Sequence, residues 1–200
     1  MPKNPTYKVP VRRRREQKTN YYLRRRLLVS GLPRLVVRRS ANNISVQIID
    51  SLPHGDKVLL SAHTHELKKK YGWKGHCGNI PAAYLIGLLI GLKAQKKKIK
   101  KTILDIGLQA SVKNSSLFAV LKGALDANLE VPHGEDILPD DSRIRGEHIA
   151  EYAKMLQSQN PDLYNRQFSE QLKRGVKPEN LPKHFDTVKN AILESFGGKK

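Results

Sequence analysis

The 200-residue chain carries 37 Lys and Arg against 18 Asp and Glu, a formal net charge of +19, and 13 of those cations face a single acid within the first 40 residues. A segment that cationic repels itself in isolation and calls for a polyanion, so nucleic acid is the expected partner. One cysteine, Cys77, excludes an internal disulfide framework, and the longest apolar run, Ile80 to Leu92, is 13 residues and too short to span a bilayer.

No apolar core follows the N-terminal charges as a secretory leader requires, so a soluble, cytoplasmic protein without a membrane partner is expected. From Met1 to Pro33 the chain has many charges, several prolines and little apolar periodicity. It reads as an extended basic arm that orders on its partner, with a helical turn or two between Tyr21 and Leu28. Arg34 to Ser40, Ile44 to Asp50 and Lys57 to His63 are then β-branched or leucine-rich runs separated by turn-rich Ala41-Asn42-Asn43 and Pro53-His54-Gly55-Asp56. The spacing predicts three strands in an antiparallel meander. Period-two counting gives one apolar face of Ile44, Val46 and Ile48, joined by Val58, Leu60 and Ala62. The opposite face holds Ser45, Gln47, Ser61, His63 and Arg38, a candidate binding surface.

Asn79 before Ile80-Pro81 predicts a capped helix running to about Ala94, apolar nearly all round and therefore buried against a sheet. Gly87 and Gly91, four apart, would let a neighbouring backbone approach closely. Six lysines follow between Lys93 and Lys101 without an acid. Favourable charge at a helix C-terminus explains some of them, but their number points to phosphate contact. Thr102 to Gly107 reads as a short buried strand, and Ser116 to Asn128 as a helix capped by Ser115 or Ser116.

Between Asp126 and Glu151 eight acids meet two arginines, a local charge of −6. This stretch either shields basic surface, faces a basic neighbour or is solvated, and RNA would repel it. Helices are expected over 145–157, 162–173 and 182–196. The fold class is α/β, a three-stranded antiparallel meander extended by parallel strand(s) with flanking helices, in a ribonuclease H-like topology. The expected organisation is a basic arm (1–33), an α/β core (34–131) and an acidic connection with a helical C-terminal extension (132–200).

The arginine run gains free energy from phosphates through charge-assisted hydrogen bonds and counterion release. Tyr21 and Tyr22 could stack on unpaired bases or pack on the body. His63, His65, His76 and Cys77 raise a metal site, but no second cysteine pair completes a zinc set, and no metal or other cofactor is expected. A metal-dependent ribonuclease would need several carboxylates converging at strand ends, and only Asp50 and Asp105 lie in the predicted sheet, so no catalytic residue is assigned.

Arg12 to Tyr22, Pro33 to Ser40, Asn43 to Ile49, His65 to Lys68, Asn79 to Tyr84, Leu121 to Ala127 and Val131 to His133 together resemble the universal large-subunit ribosomal protein family, number eighteen, in its archaeal and eukaryotic form. Their order and spacing agree from residue 12 to about 155, and the missing longer eukaryotic insertion makes the chain resemble archaeal members. The resemblance implies a non-enzymatic protein that binds 5S ribosomal RNA. It also implies that the protein helps attach this RNA to the large-subunit RNA in the central protuberance, among neighbouring ribosomal proteins. Carried over by position, the implied RNA contacts are Arg12, Arg13, Arg14, Arg15, Lys18, Thr19, Tyr21, Arg24, Arg25, Arg26, Arg38, Asn43 and Gln47. A general RNA chaperone and the metal-dependent ribonuclease are the alternatives.

Overall fold

In the computed structural model, which describes residues 4–197, two short helices, α1 (Arg12–Arg15) and α2 (Tyr21–Val29), precede three strands, β1 (Arg34–Arg39), β2 (Ile44–Leu52) and β3 (Gly55–His63). Helices α3 (Thr64–Tyr71) and α4 (Ile80–Lys96), strand β4 (Ile103–Asp105) and helix α5 (Ser116–Asp126) follow. The remainder is helical: α6 (Asp141–Arg145), α7 (Glu147–Gln159), α8 (Pro161–Gln167), α9 (Ser169–Lys173) and α10 (Leu181–Phe196). The first three and last three residues of the expected arm and extension lie outside the described residues.

The strands form one mixed sheet ordered β3-β2-β1-β4, antiparallel at β1–β2 and β2–β3 and parallel at β1–β4. Alternation sends Leu35, Val37, Ile44, Val46, Ile48 and Ala62 into the core. Arg34, Val36 and Arg38 on β1 lie opposite Ile49, Gln47 and Ser45 on β2, forming the other face. Val58 departs from the expected pattern. A register shift between Ile48 and Ile49 leaves Leu60 opposite Ile48 but puts Val58 opposite Ile49, so Val58 is half exposed on the outer face.

Helix α4 covers the core face as expected. Asn79 caps it, its Oδ1 accepting from Ala82 N–H at 3.0 Å, and 12 of its residues are buried. Its glycines admit α5 at backbone distance. A Cβ on Gly87 would sit 2.0 Å from the Val120 carbonyl oxygen, and one on Gly123 would sit 2.2 Å from that of Tyr84. Helical structure goes beyond the turn or two expected between Tyr21 and Leu28. Residues 12–15 and 21–29 of the arm form α1 and α2, and Thr64–Tyr71 forms α3, with His63 and Glu66 in a capping box and Gly72 ending it at φ +68°. The predicted helix over 162–173 is interrupted at Phe168. Leu181, Phe185, Val188 and Ile192 line one stripe of α10 and join the main core. Ala153, Leu156 and Tyr164 form a smaller cluster beside Phe168 and Leu172.

Candidate nucleic-acid interface

Helix α2 begins where Asn20 supplies its cap, Oδ1 accepting from the N–H groups of Tyr22 and Leu23 at 3.1 and 3.2 Å. Arginine and leucine have good helix propensity, which lets Leu23 to Leu28 continue the turn. Yet no residue of α1 or α2 is buried. An amphipathic stripe does not hold the arm to the body. Charge does: Arg24 lies on Asp56 at the start of β3, with Nη1 to Oδ2 at 2.9 Å and Nη2 to Oδ1 at 2.6 Å.

Asp56 opens a chain of ion pairs across the outer sheet face. Arg34 Nη2 donates to Asp56 Oδ2 at 2.8 Å and its Nη1 to Asp105 Oδ2 at 2.7 Å, while Arg38 Nη2 reaches Asp105 Oδ1 at 3.0 Å. Arg34 is only 3% exposed, so two carboxylates share a buried guanidinium. The Arg24 guanidinium holds the Asp56 carboxyl below the usual carboxylate range, outweighing the burial that pushes it up. Burial also pushes Asp105 up, but Arg38 and Arg34 prevail and its carboxyl too titrates low. Arg38 further donates to the carbonyls of Val37 and Asp105 at 2.8 and 2.7 Å. It packs against Gly107, where a Cβ would meet the guanidinium carbon at 2.8 Å.

Between α2 and the sheet lies a cleft of about 1050 Å³. Of the residues expected to touch RNA, Arg13, Lys18, Thr19, Tyr21, Arg24, Arg26, Arg38 and Gln47 line it. Arg12, Arg14, Arg15 and Arg25 sit on the exposed arm outside that lining. Asn43 is not brought to it either: it lies in the β1–β2 turn, where its Oδ1 accepts from Thr64 Oγ1 at 3.4 Å. Within the arm, Arg13 Nε donates to Thr19 Oγ1 at 2.8 Å and the Arg14 guanidinium lies 5.5 Å from the centre of the Tyr22 ring. Glu16 draws Arg12 and Lys18 to 3.6 and 2.9 Å. Arg15, Arg25 and Arg26 have no acidic partner among the described residues.

Sequence reasoning missed Arg34, Asp56 and the wall formed by Ile106 to Gln109. Arg34 carried a signal, since it shares the period-two face of Arg38. Asp56 carried none, because a hairpin aspartate ordinarily serves its turn.

The lysine run is used differently from the expectation. Lys93 Nζ bonds Glu66 at 2.9 Å and the Ser61 carbonyl at 2.9 Å, Lys97 donates to the Leu59 carbonyl at 2.8 Å, and Lys101 pairs with Glu130 at 3.0 Å. Lys96 lies 4.4 Å from the centre of the Phe196 ring. Four of the six lysines therefore bind the body itself, leaving Lys98 and Lys100 without such partners among the described residues. His63 Nδ1 accepts from His65 N–H at 3.1 Å and His76 Nδ1 from Gly78 N–H at 3.0 Å, while buried Cys77 donates to the Thr64 carbonyl. Both oxygens of Asp105 are committed to arginines, which is not the arrangement of a metal-binding carboxylate. No helix among the described residues is long and apolar enough to cross a membrane.

A cationic arm over a polar sheet face, with unpaired arginines and a wide cleft between them, is chemically suited to a phosphate backbone. Comparison with known proteins agrees with that chemistry. Residues 5–101 and 93–134 match the model of the family described as ribosomal large subunit proteins 60S L5 and 50S L18. The chain is also similar to the large ribosomal subunit protein uL18 of Thermofilum pendens, at 54% identity over 196 residues, covering 98% of this chain and 100% of that protein.

Proposed function

Because the chain belongs to the family of large-subunit ribosomal proteins 60S L5 and 50S L18, we propose that its particular task is to bind 5S ribosomal RNA. It would then help to attach that RNA to the large-subunit RNA in the central protuberance. As a ribosomal structural component the protein is not an enzyme, and it works on the cytoplasmic ribosome among ribosomal RNA and ribosomal proteins. The observation that carries the finer reading is the arm itself: nine residues of α2 with none buried, five arginines (Arg13, Arg14, Arg15, Arg25 and Arg26) without an acidic partner among the described residues, and the Arg24–Asp56 pair anchoring the arm to the sheet. Such a segment is built to exchange self-repulsion for phosphate contacts.

Arg12 to Arg15, Lys18, Arg25 and Arg26 are read as backbone contacts, and Tyr21, Thr19 and Gln47 as cleft residues facing the nucleotide. Arg24 and Arg38 bind RNA through whatever donor capacity Asp56 and Asp105 leave them, and Asn43 is a peripheral contact. The strand order 3-2-1-4 supports a ribonuclease H-like arrangement used as a scaffold. On this reading residues 1–33 are the RNA arm, 34–131 the core and 132–200 the extension. Its test is competition binding of 5S ribosomal RNA against an unrelated RNA of equal length. Preference for the first supports the reading, and equal affinity reduces it to a general RNA chaperone.

A further inference from the structure

We propose that the N-terminus of α5 is a pocket for one RNA backbone phosphate, beside the arm cleft, an inference that rests on the RNA-binding reading above. Ser115 holds the capping position in extended backbone, φ −80° and ψ 166°, yet its side chain caps nothing. The N–H groups of Ser116, Leu117 and Phe118 have no acceptor among the described residues. A helix start in that condition presents partial positive charge and aligned donors.

A second observation is independent of the helix end. The hydroxyls of Ser115 and Ser116 are both buried without a hydrogen-bond partner, and Ser116 as a whole is 6% exposed. An unpaired buried hydroxyl is destabilising, so two at one place mark an acceptor that arrives from outside. Both serines line a recess of about 600 Å³ together with Arg39, Ser40 and Gln109, and no carboxylate lines it. Arg39 has no acidic partner among the described residues. Hydroxyls, amides and a guanidinium donate hydrogen bonds, and a phosphate accepts them.

Free phosphate offers the same chemistry, but position favours RNA. Gln109 lines both this recess and the cleft under α2. A strand lying in the cleft would therefore carry its neighbouring phosphate to α5.

The test uses the full chain with Ser115→Asp and Arg39→Gln. An aspartate cap favours the helix but repels phosphate, so Ser115→Asp is expected to melt at or above the wild-type temperature. It should nevertheless bind 5S ribosomal RNA about tenfold more weakly. Its log–log salt slope should be shallower by about 0.7–0.9. Arg39→Gln should weaken binding in the same direction, and RNA should shift the Leu117 and Phe118 amide resonances. Wild-type affinity and slope in both variants would overturn the proposal. So would amide shifts with inorganic phosphate but none with RNA. Failure of the wider reading shows separately, as equal wild-type affinity for 5S and unrelated RNA; the variants' deficit against either RNA then still decides the pocket.

Discussion

Arg24 and Asp56, 32 positions apart, are joined by two guanidinium–carboxylate hydrogen bonds, and this pair fastens an otherwise unburied helix to the sheet. Both side chains remain about one-third exposed, 31% and 28%, so solvent screens the attraction. The pairing positions the arm without committing it, which suits the proposed role of the arm in binding a polyanion.

Asp56→Asn should therefore loosen α2 while leaving the body folded. Trypsin should cut after Arg24, Arg25 or Arg26 faster than in the wild type. The unfolding free energy should fall by no more than about 1 kcal/mol for the partly exposed Arg24 pair, plus the cost of leaving the buried Arg34 guanidinium with Asp105 as its one carboxylate partner among the described residues. Unchanged proteolysis would show that something other than this pair holds the arm.

Asp105→Ala should behave differently, because it strands charge inside the protein. Arg34, 3% exposed, would keep only Asp56, and Arg38 would be left without its carboxylate. Removing one member of a buried pair costs about 3 kcal/mol or more, so urea denaturation should register a clear drop in stability. A change under about 1 kcal/mol would mean that the network relaxes at little expense.

Acid should dissolve the same network. Asp56 and Asp105 bind protons less readily folded than unfolded, so each contributes stability above the ordinary carboxylate value of about 3.9. That contribution is lost as pH falls through their lowered folded values. Stability measured by denaturant should stay level for these groups from neutrality to about pH 5 and drop below about pH 4. Asp105→Asn should flatten that drop, and an unchanged acid profile in the variant would place the sensitivity elsewhere.

Where α4 packs on α5, Gly123→Val should prevent normal folding, because even a Cβ at that position falls 2.2 Å from the Tyr84 carbonyl oxygen and 2.7 Å from the Leu88 nitrogen. Backbone cannot retreat as a side chain can, and overpacking of this kind exceeds the usual 1–3 kcal/mol penalty of about one extra methylene in a core. Circular dichroism and soluble yield would check it.

Much of this architecture was legible from residues. Alternation in Ile44 to Ile48 announced a strand with one buried face, and Asn79 before Pro81 announced α4, because those signals act locally. Gly87 and Gly91 announced a close neighbour without revealing that it was α5. Helix α3 was overlooked although His63, Glu66 and Gly72 provide a start and a stop; its two capping partners include a histidine, an uncommon cap. The arm looked extended apart from a helical turn or two after Tyr21 because α2 has no apolar stripe, and its full helicity comes from the Asn20 cap and propensity.

The interface was legible as charge and only partly as geometry. The arginines declared a polyanion, but which ones stay available depends on acids distant in sequence, such as Asp105, 71 positions beyond Arg34. Likewise the lysine run pointed to phosphate binding, while four of its six lysines fold back onto Glu66, Leu59, Glu130 and Phe196. Sequence gives the sign and density of charge; tertiary pairing decides what is left to bind.

The most direct test of an RNA-clasping arm compares the full chain with Arg13, Arg15, Arg25 and Arg26 all changed to Gln, titrating 5S ribosomal RNA and an unrelated RNA of equal length across several salt concentrations. The wild type should prefer 5S RNA. The variant should bind it far more weakly, with a salt slope shallower by about 0.7–0.9 for each phosphate that the arm no longer neutralises. An unchanged affinity and slope in a folded variant would contradict the account.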